Sequence, residues 1–201
     1  MIEGLFSIGA AVGFLLVALL VLTISGAGTR IWPVPVGFNL RSMTFWSLFR
    51  GLNLFAIVIG LVDFAPLEGS PLLARILGGT LALCCLAAYL FAGAVLGREK
   101  LYCGGSGLET GGLYRFSRNP QYAAAMPGFV GFSVAAWSMS AALIAGLLAS
   151  VYMLMALAEE PWLERAYGAA YDRYRKRVPR FYHVRRILAL LHLAQVMRPR
   201  A

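Results

Sequence analysis

Two short polar stretches interrupt an otherwise apolar chain, and their residue types are those that bind a charged ligand. The first is Arg118-Asn119-Pro120, which offers a cation, an amide and a proline suited to the first position of a helix. The second is the adjacent pair Glu159 and Glu160. Free N–H groups at a helix start suit a carboxylate, whereas two carboxylates at the end of an apolar helix oppose the helix dipole and each other. We therefore interpret the two stretches as one binding site for a ligand that carries both signs of charge.

A glycine-rich segment precedes the first stretch and has the composition of a loop that approaches a ligand closely. It contains Gly104-Gly105-Ser106-Gly107 and Gly111-Gly112, and glycine adopts positive φ angles that other residues avoid. S-adenosylmethionine has a carboxylate, an amine, ribose hydroxyls and a sulfonium cation, and it would complement both polar stretches. A nucleotide cofactor fits the glycines comparably well, so the residues alone leave both ligands open.

The composition of the chain indicates an integral membrane protein. Of its 201 residues, 60% are hydrophobic and 13% are charged, against about half and about a quarter in soluble domains. Stretches that are long and apolar enough to cross the hydrocarbon core lie at 4–25, 44–65, 71–97, 121–137 and 140–158. The sequence therefore predicts an all-α membrane bundle of about five transmembrane helices with a cytoplasmic C-terminal helical segment.

The order of these stretches predicts a single domain over 1–201 with three parts. They are the first three spans (1–97), a loop, helical hairpin and C-terminal signature (98–182), and a basic tail (183–201). Within the tail, His183–Met197 has the pattern of an interfacial amphipathic helix. The three cysteines have the spacing of neither a disulfide framework nor a zinc site, so we expect no metal.

The distribution of basic residues predicts the orientation in the membrane. The net charge is +9, and ten of the 18 Lys and Arg residues lie from Arg165 onward. The N-terminus and the loops on its side have no Lys or Arg, and their only charged residues are Glu3 and Glu68. Because positive residues stay cytoplasmic, we expect an inner (cytoplasmic) membrane protein with its N-terminus outside and its C-terminus and site inside. Topology and contact with the anionic lipid bilayer then explain the charge without nucleic acid as a partner.

Ionisable residues inside the predicted spans are candidate functional groups. Arg50 and Asn53 lie three residues apart, and therefore on one face of the second span. Their position leaves substrate binding and a structural role equally open. Asp63 and Arg75 lie near the opposite ends of the second and third spans, and we expect them to form a structural ion pair.

Two runs of residues resemble a known superfamily of membrane enzymes. GGLYRFSRNPQY and, after a hairpin of about 36 residues, EEPWLERAYGAAYDRYRKRVPRF resemble the isoprenylcysteine carboxyl methyltransferase and phospholipid methyltransferase superfamily over about 108–181. The resemblance implies an S-adenosylmethionine-dependent methyltransferase whose cytoplasmic pocket meets a lipophilic acceptor from the bilayer. It assigns cofactor binding to Glu99, Ser106, Gly107, Leu108, Glu109, Tyr114, Asn119, Pro120, Gln121, Tyr122, Glu159, Tyr171 and Arg180.

Two departures from the carboxyl methyltransferase pattern favour a lipid amine as the methyl acceptor. Asn119 stands where those enzymes have a histidine, and Met155 stands where they have an arginine that faces the acceptor. A site without that cation is less suited to an anionic acceptor. We therefore expect the amine of a phospholipid head group such as phosphatidylethanolamine, with Arg41, Arg50 and Asn53 as candidate substrate contacts.

The chemistry of an amine acceptor requires a base. Methyl transfer is an in-line displacement at a sulfonium carbon, so alignment supplies most of the catalysis. An ammonium acceptor must first lose a proton, which a carboxylate can take. We assign this role to Glu160, with Arg118 as the second candidate catalytic residue; in the alternative, Glu160 only braces Arg118 or Arg165.

Other functions also agree with the sequence. Within the superfamily, an isoprenylcysteine-type carboxyl or thiol methyltransferase is the alternative. The spans also resemble the C-terminal portion of membrane sterol reductases, although 201 residues are few for an NADPH-dependent reductase. A non-enzymatic membrane protein is the third possibility, and it leaves the adjacent glutamates unexplained.

Overall fold

A computed structural model of the protein describes residues 1–28, 30–33, 39–68, 70–97 and 107–182. The predicted all-α bundle is confirmed, because these ranges contain six α-helices, a short 3-10 helix and no strand. In chain order the elements are α1 Ile2–Ser25, α2 Leu40–Val62, α3 Leu72–Leu96, the 3-10 helix Gly112–Arg115, α4 Pro120–Ala136, α5 Met139–Tyr167 and α6 Ala169–Arg177. The interfacial helix predicted at His183–Met197 lies outside the described residues.

Four of these helices, α1, α2, α3 and α5, are long and apolar enough to cross a membrane. Helix α4 corresponds to the fourth predicted span, but it has only 17 residues and contains Pro127. This length is at the lower limit of the roughly 17–25 residues that span the hydrocarbon core. The described helices therefore match the five predicted stretches, and four of them have the length and composition of a span.

Helix α5 continues to Tyr167, nine residues beyond the predicted end at residue 158. Glu159 and Glu160 therefore lie inside a helix, and the prediction that they stand at a helix C-terminus was wrong. The hydrocarbon thickness limits the apolar part of a helix, whereas the helix itself can continue into a polar segment. It ends at Gly168, which has a positive φ of 48°.

Short polar side chains determine where two of the helices begin. The side chain of Asn39 precedes α2 and accepts a hydrogen bond from Ser42 N at 2.9 Å. Ser138 precedes α5 and accepts from Ala141 N at 3.0 Å. Both satisfy N–H groups that a helix start leaves without partners. Ser138 Oγ also donates to Asp63 Oδ2 at 2.6 Å, which ties the end of α2 to the α4–α5 turn.

The helices pack in two groups that meet along α5. Helices α1, α2 and α5 share an apolar core that contains Leu16, Leu20, Phe45, Leu52, Ile59, Ile144 and Leu148. Helix α3 packs on α4 through glycines: a Cβ on Gly78 would lie 2.7 Å from Gly131 O, and a Cβ on Gly131 would lie 2.7 Å from Gly78 O. Small residues of this kind let membrane helices approach backbone to backbone.

We call the end of the bundle at the α4–α5 turn the turn end, and Arg75 of α3 closes it. Arg75 is buried, and its guanidinium donates at 2.9–3.0 Å to Ala135 O, Ala65 O, Pro66 O and Ser70 Oγ. Asp63 instead accepts from Ser138. The predicted ion pair between Asp63 and Arg75 is therefore wrong, because the arginine donates to three backbone carbonyls and a serine hydroxyl instead.

Candidate active site

The Arg118-Asn119-Pro120 turn is held in place by the segment that follows α6. Arg118 N donates to Pro179 O at 2.9 Å, and Asn119 donates to Arg180 O at 3.2 Å from both its backbone and its side-chain nitrogen. Pro120 is the first residue of α4, where its fixed φ and missing N–H are well tolerated. The start of α4 and the C-terminal signature therefore form one unit.

Glu160 lies at the centre of an ion-pair cluster. It accepts from Arg180 Nε at 2.7 Å and from Arg180 Nη2 at 2.8 Å, and Arg118 Nη1 lies 2.9 Å from its Oε1. Bidentate arginine–carboxylate pairs of this kind are strong and directional. A carboxylate shared by two guanidinium groups is poorly placed to take a substrate proton. The geometry therefore disfavours Glu160 as the general base and fits the alternative in which it braces Arg118.

Arg118 connects this cluster to α6 and keeps one donor free. Its Nη1 donates to the Tyr171 hydroxyl at 2.7 Å, and its guanidinium lies 5.8 Å from the centre of the Tyr171 ring. Arg118 Nε is buried and has no hydrogen-bond partner among the described residues. An unsatisfied buried donor costs about 1–3 kcal/mol, and the Arg118 side chain also lines a cleft described below.

Tyr174 of α6 positions the loop that precedes α4. Its hydroxyl donates to Tyr114 O at 2.6 Å and lies 3.4 Å from Ser117 O. Burial raises the pKa of the Tyr174 phenol well above its usual range, so it remains a donor at physiological pH. In the same loop, Gly107 and Gly112 have φ angles of 88° and 51°. Glycine therefore supplies the backbone conformation that the sequence predicted for this loop.

A polar cleft of about 100 Å³ lies between this loop and helices α3, α4, α5 and α6. Predicted site residues make up most of its lining: Gly107, Leu108, Glu109, Tyr114, Arg118, Asn119, Gln121, Tyr122, Glu159 and Tyr171. Side chains without an assigned role complete the lining: Leu96, Trp162, Leu163, Tyr167 and Tyr174. The structure therefore brings together residues that are up to 78 positions apart in the chain.

Three described residues that were predicted to bind the cofactor or to act in catalysis do not line the polar cleft. Pro120 starts α4, and Arg180 and Glu160 form the ion-pair cluster beside the cleft. Glu99 and Ser106 are a separate case, because both lie outside the described residues. Arg41, a candidate substrate contact, is exposed in the first turn of α2 and lines no described cavity.

An apolar cavity of about 740 Å³ lies between α2 on one side and α3 and α4 on the other, with α5 behind it. Its volume is typical of sites for small organic ligands, which occupy about 300–1,000 Å³. Arg50 and Asn53, two candidate substrate contacts, both line it, and so does Met155. The aliphatic and phenylalanine side chains of its walls are Leu54, Ile57, Leu61, Leu83, Leu86, Phe129 and Phe132.

The end of the apolar cavity near Glu159 is aromatic. Its rings belong to Trp32, Trp46, Phe49, Tyr89, Tyr122 and Tyr152. The Tyr152 hydroxyl donates to Asn53 Oδ1 at 2.9 Å, and the Arg50 guanidinium lies 5.3 Å from the centre of the Trp46 ring. Except for Tyr122, sequence reasoning missed these aromatic residues because they come from separate elements and form no motif. The only sequence signal for this aromatic end was the presence of aromatic residues beside isolated polar residues within the predicted spans.

The polar cleft and the apolar cavity share four lining residues: Leu96, Gln121, Tyr122 and Glu159. We call this place the junction. The Tyr122 hydroxyl lies 3.4 Å from Glu159 Oε2 and donates to it. A charged ligand in the cleft and an apolar ligand in the cavity would therefore meet beside the Glu159 carboxylate.

Of three comparisons with known proteins, one found a match, and it covers most of the residues described above. No curated protein and no solved structure matches the chain. The phospholipid methyltransferase family model matches residues 73–170, which include the junction and most of the polar cleft. This match indicates membrane methyltransferase activity on phospholipid-like substrates. The resemblance predicted from the motifs is thereby confirmed, and residues 73–170 of this chain are similar to the phospholipid methyltransferase family.

Proposed function

We propose that this protein transfers a methyl group from S-adenosylmethionine to the amine of a phospholipid head group of the phosphatidylethanolamine type. The observation that carries the proposal is the junction, where the polar cleft and the apolar cavity share Gln121, Tyr122 and Glu159. A charged cofactor and a lipophilic acceptor need separate environments with one point of contact. In-line transfer also requires their reacting atoms to be aligned at that point.

The residues of the polar cleft suit S-adenosylmethionine in charge and in hydrogen-bonding groups. The Arg118 guanidinium would attract the cofactor carboxylate, and the Glu159 carboxylate would face its cationic groups, because both residues line the cleft. The aromatic rings of Tyr114 and Trp162 line the same cleft and would pack on the adenine. When bound, the cofactor supplies a methyl group that is activated by the sulfonium charge. Glu99 and Ser106 remain proposed contacts from the preceding loop.

The lipid amine needs a proton acceptor at the junction, and we assign that role to Glu159. Its carboxylate lines both the cleft and the cavity, and the Tyr122 hydroxyl holds it in place. The ammonium proton would move to a Glu159 oxygen, which leaves the nitrogen lone pair free as the nucleophile. Glu160 would then act as a positioning residue through its ion pairs with Arg118 and Arg180.

The apolar cavity favours a lipid amine over the other acceptors. Met155 places an apolar side chain in the cavity, where carboxyl methyltransferases have an arginine for an anionic acceptor. Arg50 beside Trp46 would suit the phosphate of the head group. The family match argues against the reductase and the non-enzymatic alternatives, because it covers the residues that form the junction.

Methyl-labelled S-adenosylmethionine and a bacterial lipid extract provide the direct test. We expect mass spectrometry to detect label in methylated phosphatidylethanolamine after incubation with the purified protein. The variant Glu159→Gln should lose both label and cofactor binding. Glu164→Gln is the matched control, because Glu164 lies on the same helix, outside both cavities, with a side chain 42% exposed.

The possible results separate the parts of the proposal. Cofactor binding that depends on Glu159, without label in any lipid amine, would refute the acceptor and retain the methyltransferase. Absence of both binding and label in the wild-type protein would refute the proposed function. Label that persists in Glu159→Gln would refute the role given to that carboxylate.

A further inference from the structure

The lining of the apolar cavity stops short of the turn end, and the last side chain of α4 that lines it is Phe132. Towards the turn end its final lining residues are Leu61, Ala82 and Phe132. Beyond them the helices are joined by hydrogen bonds: Ala65 N donates to Ala136 O at 3.0 Å, and Arg75 donates to three backbone carbonyls nearby. The lining on α4 therefore ends at Phe132, which we call the floor of the cavity, and the hydrogen-bonded turn end lies beyond it.

The Phe132 ring occupies a place that α2 leaves open only because residue 60 is glycine. A Cβ on Gly60 would lie 2.3 Å from Cε1 and 2.9 Å from Cζ of Phe132. Real Cβ atoms do not approach other atoms this closely, so any larger residue at position 60 would displace the ring. Because Phe132 lines the cavity, a ring pushed away from α2 would move into the cavity and shorten it.

The depth of the apolar cavity corresponds to one leaflet of a bilayer. Gln121 at the junction and Phe132 at the floor are both on α4, eleven residues apart. At 1.5 Å per residue this is about 16 Å, or about half of the roughly 30 Å hydrocarbon thickness. A head group held at the junction would therefore place the end of its hydrocarbon tail near Phe132.

We propose that Phe132, seated on Gly60, sets the length of the hydrocarbon tail that the methyl acceptor can place in the apolar cavity. The inference rests on the proposed function for the head group and concerns the other end of the same cavity. A short tail leaves the floor without contact, whereas a long tail meets the ring. Each methylene that gains or loses contact changes the relative rate by about fourfold.

Lysophosphatidylethanolamines with saturated tails from decanoyl to stearoyl provide a graded series of acceptors. With methyl-labelled S-adenosylmethionine, the wild-type protein should show an optimum in relative kcat/KM along the series. Phe132→Ala should move the optimum to longer tails, and Gly60→Ala should move it to shorter tails. The double variant should follow Phe132→Ala, because no ring remains for the new methyl group to displace.

Two further variants control for general effects on folding. Gly51→Ala places a methyl group on the same helix, where nothing lies within 4 Å of the added Cβ, and it should keep the wild-type optimum. Phe132→Leu removes less volume and should give a smaller shift towards longer tails. Native mass spectrometry of the same lipids bound to each variant gives a readout that does not depend on methyl transfer.

The outcomes separate this inference from the proposed function. An unchanged optimum in both Phe132→Ala and Gly60→Ala, with methylation intact, would overturn the inference and retain the proposed function. Shifts of both variants in the same direction would also overturn it. In a third outcome, the preferred tail length for binding shifts as expected in the variants, but no lipid of the series is methylated. This outcome would support the inference and overturn the proposed acceptor.

Discussion

Glu159 and Glu160 are neighbours in the sequence and have different surroundings in the structure. Successive residues of an α-helix point about 100° apart, so the two side chains leave α5 on different sides. Glu159 faces the junction and accepts from Tyr122, whereas Glu160 accepts from Arg118 and Arg180. Of the two adjacent glutamates, Glu159 is therefore placed to contact a ligand, and Glu160 supports the structure around the site.

We expect the supporting role of Glu160 to appear as lost stability in Glu160→Gln. Its side chain is 17% exposed, and its replacement would leave Arg118 and Arg180 without their counter-ion. Hydrogen bonds to charged groups contribute about 1.5–3 kcal/mol each, so the melting temperature in detergent should fall clearly.

The comparison variant for this experiment is Glu164→Gln. Glu164 pairs with Arg175, and both side chains are 42% exposed. Solvent-exposed ion pairs contribute about 0–1 kcal/mol, so this variant should unfold near the wild-type temperature. An equal loss of stability in the two glutamate variants would contradict the assignment.

At the scale of elements, Arg75 joins α3 to the ends of α2 and α4. Helix α4 is short and contains Pro127, so contacts with its neighbours must supply much of its stability. The glycine contacts between Gly78 and Gly131 bring α3 close enough for Arg75 to reach Ala135 O. A single buried cation thus donates to carbonyl groups of two segments at the turn end, the α2–α3 connection and the end of α4.

Replacement of Arg75 should therefore destabilise the bundle strongly. In Arg75→Gln the carbonyls of Ala65, Pro66 and Ala135 lose their common donor, at a cost of more than about 2 kcal/mol. Thermal unfolding in detergent measures this change, with the exposed α6 residue Arg173 as the control in Arg173→Gln.

The stability of the variant Asp63→Asn distinguishes this arrangement from the ion pair that the sequence predicted between Asp63 and Arg75. If Asp63 were the main partner of Arg75, Asp63→Asn would destabilise the protein about as much as Arg75→Gln. We expect a clearly smaller effect, because asparagine keeps an oxygen that can accept from the Ser138 hydroxyl.

At the scale of the whole molecule, charge differs between the two ends of the bundle. The end that carries the polar cleft also carries Arg118, Arg180 and the basic helix α6. At the turn end Arg75 is buried by its carbonyl contacts, and Glu68 lies in the α2–α3 connection. Because basic segments are retained in the cytoplasm, we predict that the polar cleft faces the cytoplasm.

Reporter fusions test this orientation and the crossing of α4. A green fluorescent protein at the C-terminus should fluoresce, and alkaline phosphatase inserted in the α2–α3 connection should be active. The reverse pattern would show that the polar cleft faces outward. Activity of phosphatase placed both in that connection and after α6 would instead show that the hairpin of α4 and α5 does not cross as two spans.

The class of the protein, the order of its helices and the positions of its motifs were readable from the chain, because each depends on a short stretch of residues. The length of an apolar run determines whether a helix crosses a membrane, and the glycine, arginine and glutamate motifs are contiguous. The sequence also indicated Arg50 and Asn53 as a polar pair, and both line the apolar cavity.

The cavities, their junction and the partners of the buried charges depended on tertiary structure. Tyr122 and Glu159 are 37 positions apart, and Gly60 and Phe132 are 72 positions apart, yet each pair is in contact. Hydropathy indicated that Asp63 and Arg75 lie at one membrane boundary. The packing of α3 on α4, however, places the Ala135 carbonyl within hydrogen-bond distance of Arg75, and Arg75 donates to it. A local pattern specifies which face a side chain occupies, whereas its partner depends on how neighbouring helices pack.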